Sequence, residues 1–317
     1  MEMFDVTSGD VVVAAQRLRP WVVRTPVLTN EVIDELAGTS VLLKCENLQR
    51  IGAFKARGAL NAVLQLDDRA ARRVVAAHSS GNHAAALAFA GRCRGIPVTV
   101  VVPRDAPRVK LETVERLGAT LVLCDPTLEA RVSTLAEVTE ATGATEIHPY
   151  DDPRVIAGAG TAALELLEDH PEVELVVAPV SGGGLLSGTA LAADATRHTT
   201  PVRVWGAEPA GVDDAARSLA TGAIQPSTGG TSVADGLLAA LSPRTFNLIR
   251  ERVEDIVVVS DDQILEATRL LVDHVKLLVE PSGATGLAAV LSRAGRLPSV
   301  VGVIVSGGNV DLARLAR

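Results

Sequence analysis

Aromatic residues are scarce in this chain of 317 residues, at 2% of the sequence. The core must therefore be built from aliphatic side chains, and no run of stacking aromatics is present to bind a single-stranded nucleic acid. Basic residues are also too few to balance the acidic ones, and the formal net charge of −8 argues against a partner with a phosphate backbone. We therefore expect no nucleic-acid partner.

Cysteine is equally rare. Cys45, Cys93 and Cys124 are odd in number, far apart and outside any Cys-x-x-Cys spacing, which disfavours a disulfide framework or a zinc site. No apolar run approaches the roughly 18 residues needed to span a bilayer, and residues 1–10 lack the basic start of a signal peptide. The expected location is a reducing cytoplasm, with no membrane anchor.

What the sequence does contain is a series of short, solidly apolar runs with helical stretches between them. Runs that do not alternate with polar residues predict strands covered on both faces, which means parallel α/β layers. The length allows about two domains, and the turn-rich stretch 143–153 is the best candidate for a return from one domain to the other. The predicted strands are 41–43, 74–77, 98–102, 121–123, 175–180, 202–205, 256–259 and 300–305.

Four glycine-containing segments lie at predicted strand-to-helix turns, where open α/β sheets bind ligands: 52–58, 79–83, 181–185 and 306–309. The third has three consecutive glycines before a helical stretch, so several backbone N–H groups can converge on an anion. A glycine turn without a ligand is the plain alternative. A dinucleotide site is disfavoured, because the Gly-x-Gly-x-x-Gly spacing would need glycine where Ser187 stands.

The segment 52–58 carries Lys55 directly after Phe54. A lysine in such a place is either a buried cofactor amine with a lowered pKa or an ordinary surface lysine. An aldehyde cofactor with a phosphate group needs one amine, a phosphate cradle and partners for its ring nitrogen and ring hydroxyl. The other three segments could supply these partners, which favours the cofactor interpretation.

The segment 79–83 precedes an alanine-rich helix, so its N–H groups and hydroxyls suit a carboxylate. A purely structural helix cap is the alternative. A Ser-His hydrolase is a weak third possibility, because no Gly-x-Ser-x-Gly pattern surrounds Ser80 or Ser181.

Taken together, these segments resemble the fold type II pyridoxal-phosphate enzymes, and within them the serine/threonine dehydratase and serine racemase group. The segments that carry the resemblance, over nearly the whole chain, are 44–47, 52–58, 79–83, 156–161, 181–188, 234–236, 280–284 and 306–309. It implies two open, mostly parallel twisted sheets with flanking helices, similar to tryptophan synthase β, and a cofactor between the domains. The implied large domain is 1–47 with 144–317, and the implied small domain is 48–143.

The resemblance also implies roles for single residues. Lys55 would hold pyridoxal phosphate as a Schiff base and act as the base on the Cα proton, with Phe54 packed near the ring. Asn82 would hydrogen-bond the ring hydroxyl, and Ser306 would meet the pyridine nitrogen. The phosphate would be held by the backbone N–H groups of Ser181, Gly182, Gly183, Gly184 and Leu185.

On the substrate side, Ser80 would be the second acid/base group, on the face opposite Lys55. Arg131 matches an arginine that in the racemase branch can meet a second substrate carboxylate, which hints at 3-hydroxyaspartate; a solvated helix charge is the alternative. The residues that would cradle the first carboxylate are Ser79, Ser80, Gly81 and His83.

The stretch 208–214 resembles the divalent-cation loop of the serine racemase and hydroxyaspartate dehydratase branch. The carboxylates of Glu208 and Asp214 with the carbonyl of Val212 would give three oxygen ligands for Mg²⁺ or another hard cation. The alternative is an acidic surface turn.

Two departures from the family pattern matter. Ser181 stands where many relatives carry a further glycine, which a serine can replace if its backbone angle is ordinary. Ala239 stands where the matching racemases have a serine, which disfavours racemisation.

The expected activity follows from Ser306, because a neutral hydroxyl leaves the pyridine nitrogen less readily protonated and favours elimination of a β-hydroxyl. We therefore expect an L-serine/L-threonine dehydratase that acts on a small hydroxy-amino acid and releases a 2-oxo acid and ammonium. The alternatives are a serine racemase or a 3-hydroxyaspartate dehydratase and, more distantly, a non-catalytic nucleotide-binding module. The resemblance also suggests a homodimer.

Overall fold

A computed structural model describes residues 6–79, 81–106, 108–196 and 201–311, and only the backbone of residues 108–110. Its strands are β1 (Val27–Leu28), β2 (Ser40–Cys45), β3 (Val75–His78), β4 (Val98–Pro103), β5 (Thr120–Cys124), β6 (Thr145–Glu146), β7 (Leu175–Pro179), β8 (Arg203–Pro209), β9 (Asp255–Val259) and β10 (Val300–Val305). Its helices are α1 (Ser8–Leu18), α2 (Glu31–Ala37), α3 (Lys55–Leu64), α4 (Asp68–Ala71), α5 (Asn82–Arg94), α6 (Arg108–Arg116), α7 (Leu128–Thr142), α8 (Pro153–Asp169), α9 (Gly184–Ala195), α10 (Asp214–Thr221), α11 (Pro243–Arg252), α12 (Asp261–Leu270) and α13 (Pro281–Ser292).

The larger sheet has six strands in the order β1-β2-β10-β7-β8-β9. Every neighbouring pair in it is parallel except β1 and β2. Buried aliphatic side chains cover both faces of this sheet. Strands buried on both sides need continuous apolar sequence, and that is the pattern from which they were predicted.

The smaller sheet has four parallel strands in the order β5-β4-β3-β6. All eight predicted strands are confirmed, and the two-sheet α/β architecture agrees with the expectation. The two missed strands, β1 and β6, are two residues long, which is too short to produce an apolar run.

The chain returns to the larger sheet later than expected. β6 pairs with β3, so residues 145–146 belong to the smaller sheet, although the implied boundary placed residue 144 onward in the large domain. Gly143, which marked the turn-rich stretch, has a positive φ of 64° and ends α7. The glycine ends α7, and the rest of the turn-rich stretch leads from β6 into α8.

One helix also ends earlier than its sequence suggests. The helical pattern extends over 261–278, but α12 ends at Leu270 and one π-helical turn follows over Leu271–Val275. Lys276, with a φ of 62°, then terminates the turn. None of the described helices is long and apolar enough to cross a membrane.

Candidate active site

Lys55 is the first residue of α3, and the segment before it is bonded to the end of β10. The Phe54 N–H donates to the Ser306 carbonyl at 3.0 Å, and Ala53 forms an isolated bridge with Gly307. The Lys55 Nζ donates to the Pro149 carbonyl at 2.8 Å. Burial lowers the pKa of this amine to about 8, so a sizeable fraction is uncharged and nucleophilic near neutral pH.

The glycine loop between β7 and α9 provides an anion cradle. Gly183 precedes α9 with a φ of 84°, and no side chain of the described residues caps the first N–H groups of this helix. Uncapped N–H groups at a helix N-terminus, with the positive end of the helix dipole, suit a phosphate. One predicted donor is already used, because the Gly183 N–H donates to the Val180 carbonyl at 3.1 Å. A phosphate contact by the other N–H groups of the loop stays a prediction.

Ser181 does not meet the condition under which a serine was expected to replace glycine. Its φ is 53°, in the left-handed region, where a side chain is disfavoured by roughly 1–2 kcal/mol. Its Oγ accepts a hydrogen bond from the Ala239 N–H at 3.4 Å, which ties the loop to the segment after Gly236. The serine is thus strained, and it makes one contact that glycine cannot make.

A pocket with about 350 Å³ of empty space, part of it open to solvent, is lined by both the lysine and the glycine loop. It is lined by Phe54, Lys55, Tyr150, Pro179, Val180, Ser181, Gly182, Gly184, Leu185, Gly236, Leu237 and Ser306. One amine, one uncapped helix N-terminus and two serine hydroxyls share this space. These groups fit a phosphorylated aldehyde cofactor. Gly183 does not line the cavity, because a Cβ added to it would point toward Leu241 and Thr245.

Asn82 is held between two neighbours across the domain boundary. Its Nδ2 donates to the Glu280 Oε1 at 2.6 Å, and its Oδ1 accepts from the Asn309 Nδ2 at 2.8 Å. An added Cβ on Gly307 would lie 2.1 Å from the same Glu280 oxygen, so Asn82 approaches the backbone next to Ser306. The proposed bond from Asn82 to a ring hydroxyl stays a prediction.

The expected carboxylate cradle lies between the end of β3 and the start of α5. The Ser79 Oγ accepts from the Gly81 N–H at 3.3 Å. The His83 Nε2 is 2.9 Å from the Ile147 carbonyl and burial lowers the pKa of this imidazole to about 3, so the neutral ring donates there and cannot donate to a carboxylate through Nδ1. A substrate contact by His83 would use its backbone N–H. Ser80 lies outside the described residues.

Arg131 does not line the cavity. Its Nε is buried, with no hydrogen-bond partner among the described residues. Its charge lowers the pKa of the neighbouring His78, after burial as the larger cause. The His78 ring in turn packs edge-on against His148, with centroids 6.4 Å apart, and His148 packs edge-on against Tyr150 at 4.6 Å. Polar rings therefore connect this arginine to the cavity wall.

The predicted cation loop follows β8. The Glu208 side chain accepts from the N–H groups of Ala215 and Ala216 at 3.0 and 2.8 Å. Burial raises the pKa of Glu208 to about 8, and it also raises the pKa of Asp214. Within the described ranges no cluster of three or more His, Cys, Asp or Glu side chains is arranged for a metal. Two acids and the Val212 carbonyl remain a predicted ligand set.

Two residues of the site had no assigned role in the sequence. Tyr150 lines the cavity, and its ring lies so close to Gly182 that an added Cβ there would be 2.5 Å from it. Glu280 lay within a recognised segment, but its bond to Asn82 spans 198 positions in sequence. The only signals were the turn-rich stretch around Tyr150 and the family-like segment around Glu280, and neither specifies a contact.

Comparisons with known proteins agree with this geometry. The family model described as "Pyridoxal-phosphate dependent enzyme" matches residues 18–307. A serine racemase of Oryza sativa subsp. indica is 46% identical over 308 residues, covering 95% of this chain and 90% of the relative. A β-hydroxyaspartate dehydratase of Paracoccus denitrificans (strain Pd 1222) is 45% identical over 317 residues, covering 99% of both chains.

Among solved structures, a threonine deaminase of T.th. superimposes with a TM-score of 0.90 at 43% identity, covering 96% of this chain and 98% of that one. The resemblance to fold type II enzymes is thereby confirmed. This chain belongs to the family of pyridoxal-phosphate dependent enzymes.

Proposed function

We propose that this protein is an ammonia-lyase that eliminates water from a small 3-hydroxy-amino acid, with L-serine and L-threonine as the first substrates to test. The observation that carries the proposal is the shared cavity of Lys55 and the uncapped start of α9. Because Lys55 and the start of α9 line the same pocket, one ligand can reach both the amine and the helix N–H groups, which supports the proposal. The similarity to a threonine deaminase and to a β-hydroxyaspartate dehydratase supports the same reaction type.

The chemistry that pyridoxal phosphate supplies when bound is an electron sink for the pair released as the Cα proton leaves. The Lys55 amine, once free of the cofactor, takes that proton at Nζ; its pKa of about 8 suits a base near neutral pH. Ser306 offers the ring nitrogen a neutral hydroxyl, and its Oγ lies 3.5 Å from the Ser282 carbonyl, a long contact that leaves it available.

The other residues of the cavity would orient the substrate and cofactor and shield them from water. Phe54 lies with its ring centroid 5.1 Å from the Lys55 Nζ, and Tyr150 packs on the glycine loop opposite. Loss of the β-hydroxyl as water leaves an enamine, which after release tautomerises and hydrolyses to a 2-oxo acid and ammonium. Apolar walls limit access of water while the proton is held on Lys55.

A bound Mg²⁺ is part of the proposal. Glu208 and Asp214 are buried acids whose pKa values are raised by burial, and among the described residues no cationic side chain forms an ion pair with either carboxylate. A divalent cation would compensate their charge and find oxygen ligands of the kind it prefers. Asp214 also contributes to raising the pKa of Tyr150, so the loop is electrostatically close to the cavity wall.

A second substrate, 3-hydroxyaspartate, is favoured by Arg131. Its buried Nε has no partner among the described residues, which is costly. Because Arg131 does not line the cavity, a second substrate carboxylate would have to extend past the His148 and Tyr150 rings to pair with it. Racemisation of serine is less favoured, because position 239 next to Ser181 carries a methyl group where matching racemases have a hydroxyl.

The decisive experiment is a substrate panel on the purified holoenzyme: L-serine, D-serine, L-threonine and the 3-hydroxyaspartate diastereomers, with 2-oxo acid and enantiomer inversion scored separately. We expect 2-oxo acid from at least one L-substrate. Inversion without 2-oxo acid would instead identify a racemase. If neither 2-oxo acid nor inversion is detected with any substrate, the proposal is refuted.

Two variants locate the site. Lys55→Ala should abolish both turnover and the visible band that borohydride reduces, whereas Lys276→Arg, at an exposed lysine, should retain both. A Lys55→Ala protein that keeps the reducible band would exclude Lys55 as the attachment point.

Arg131→Gln separates the two substrates. It should lower kcat/KM for 3-hydroxyaspartate by about 100-fold while that for L-serine stays near its original value. Equal losses for both substrates would remove the argument for a second carboxylate.

A further inference from the structure

Behind the lysine helix lies a buried group of four charged residues, which we call the Arg57 network: Lys44, Glu46, Arg57 and Glu165. Two positive and two negative charges balance within it. The guanidinium of Arg57 grips Glu46 with Nε and Nη2, at 2.7 and 2.8 Å, and Glu165 with Nη1 and Nη2, both at 2.8 Å. Paired contacts of this kind fix the plane of a guanidinium and not just its position.

The remaining polar atoms of the network are also engaged. The Lys44 Nζ donates to Glu165 at 2.7 Å and to the Thr25 carbonyl at 2.8 Å. The Thr25 hydroxyl donates to Glu46 at 2.5 Å. Burial disfavours the charged form of Glu46, but Arg57 outweighs it and holds the pKa of this carboxyl below its usual value. Glu46 is therefore ionised, and every charged group of the network has at least two hydrogen bonds.

The position of the network in the chain indicates what it could do. It joins β2, which precedes the entry into the smaller sheet, to α8, which follows the return from it, and to the first turn of α3. α3 and α8 touch without intervening side chains, since a Cβ on Gly158 would lie 2.6 Å from the Arg57 carbonyl oxygen. The network thus holds α3 at the place where the chain passes between the two domains.

Lys55 lies two residues before Arg57 on the same helical turn. Residues at i and i+2 point to nearly opposite sides of a helix, so the lysine faces the cavity while the arginine faces the interior. A buried ion-pair network is expensive to desolvate and can often be replaced by apolar side chains without loss of stability. Stability alone therefore does not account for it.

We propose that Arg57 is a positioning residue for Lys55: by gripping Glu46 and Glu165 it fixes the rotation of the first turn of α3, and with it the direction from which the amine enters the cavity. This inference rests on the proposed role of Lys55 as the cofactor lysine. It assigns Arg57 no contact with substrate or cofactor.

The test compares Arg57→Lys, which keeps the charge and loses the planar fork, with Arg24→Lys. Arg24 is the control because it also bonds α8, through the carboxylates of Glu168 and Asp169 and the Glu165 carbonyl, but it is about half exposed and does not bond the Glu165 carboxylate. Apoprotein is mixed with pyridoxal phosphate, and the rate at which the borohydride-reducible visible band appears is measured. The affinity for pyridoxine 5′-phosphate, which has the phosphate and no aldehyde, is measured alongside.

For Arg57→Lys we expect the band to appear at least about 10-fold more slowly and kcat to fall similarly, since small displacements of a reacting group have effects of this size. KM and the affinity for pyridoxine phosphate should be retained, because the glycine loop is untouched. Arg24→Lys should match the original protein in every measurement. A general disturbance of the fold would instead weaken pyridoxine phosphate binding as well.

An Arg57→Lys protein that captures the cofactor at the original rate, even with a lower Tm, would overturn the inference. If that variant does not fold, Glu165→Gln, which keeps an acceptor for the guanidinium, should slow capture in the same direction, and an unchanged rate would again overturn it. Failure of the underlying proposal looks different, because Lys55→Ala would then retain the reducible band.

Discussion

Two groups of buried charged residues in this molecule differ in how their charges are compensated. The Arg57 network contains equal numbers of positive and negative charges, and each of its charged groups has hydrogen-bond partners within 2.8 Å. The cation loop buries Glu208 and Asp214 with backbone N–H groups as partners and no positive side chain bound to either carboxylate among the described residues. The Arg57 network is complete, whereas the two acids of the cation loop have no positive partner and burial raises their pKa values.

The pKa values reflect this difference. Burial acts on both carboxylates, yet Arg57 holds the pKa of Glu46 below its ordinary value while the pKa of Glu208 rises to about 8. A buried carboxylate without a cation takes up a proton or a metal ion. The Arg57 network is thus neutralised by its own side chains, whereas Glu208 is left to take up a proton or, as we propose, to bind a cation.

The largest expected effect comes from breaking the complete group. Arg57→Ala leaves Glu46 and Glu165 buried without their main partner, and we expect the free energy of unfolding to fall by about 3–5 kcal/mol. Urea denaturation of the apoprotein, followed by circular dichroism, measures it. A loss below about 1 kcal/mol, the size typical of exposed pairs, would mean that the two groups do not differ in kind.

A smaller effect tests the incomplete group through pH. Glu208 titrates near 4.5 when unfolded and near 8 when folded, so between these values the chelated folded protein keeps a proton that the unfolded chain has lost. Its free energy of unfolding should therefore fall as pH rises from 5 to 8, by at most about 1.4 kcal/mol per pH unit from this group. Mg²⁺ should flatten this slope, so the rise in Tm that it causes grows with pH.

Glu208→Gln is the control for that prediction. The amide does not titrate, so its chelated form should lack this part of the pH slope and respond little to Mg²⁺. Identical Mg²⁺ responses in the variant and the original protein would place the cation elsewhere.

The smallest effect is expected at the surface. Arg24 pairs with Glu168 and Asp169 at 3.1 and 2.7 Å, but about half of each side chain is exposed. Arg24→Ala should cost no more than about 1 kcal/mol, and added salt should reduce even that. A salt-insensitive loss similar to that of Arg57→Ala would show that burial is not what distinguishes the network.

Much of this fold was predictable because it depends on local pattern. The parallel strands appear as unbroken aliphatic runs. The glycines between β7 and α9 predict a helix whose first N–H groups are not capped by a side chain. Lys55 was predicted as the cofactor lysine from its sequence neighbours and from the three other glycine-containing segments, and that role stays a prediction. These features are encoded in short stretches of sequence.

The features that were missed depend on distant contacts or on backbone angles. The left-handed φ of Ser181 contradicts the ordinary angle that its residue type suggested. Arg57 belonged to a recognised segment, but its partner Glu165 lies 108 positions away, and no local pattern pairs them. β6 is two residues long and exists only because β3 offers it an edge.

The backbone bond from Phe54 to Ser306 has a consequence for how the protein is made. A ribosome completes the lysine helix early, but the strand end that receives the Phe54 N–H emerges only after most of the chain. Contacts of such separation are slow to form, and domains with many of them stay exposed to wrong pairings meanwhile. The Lys55 amine is therefore synthesised early but reaches its final position only after Ser306 has been made.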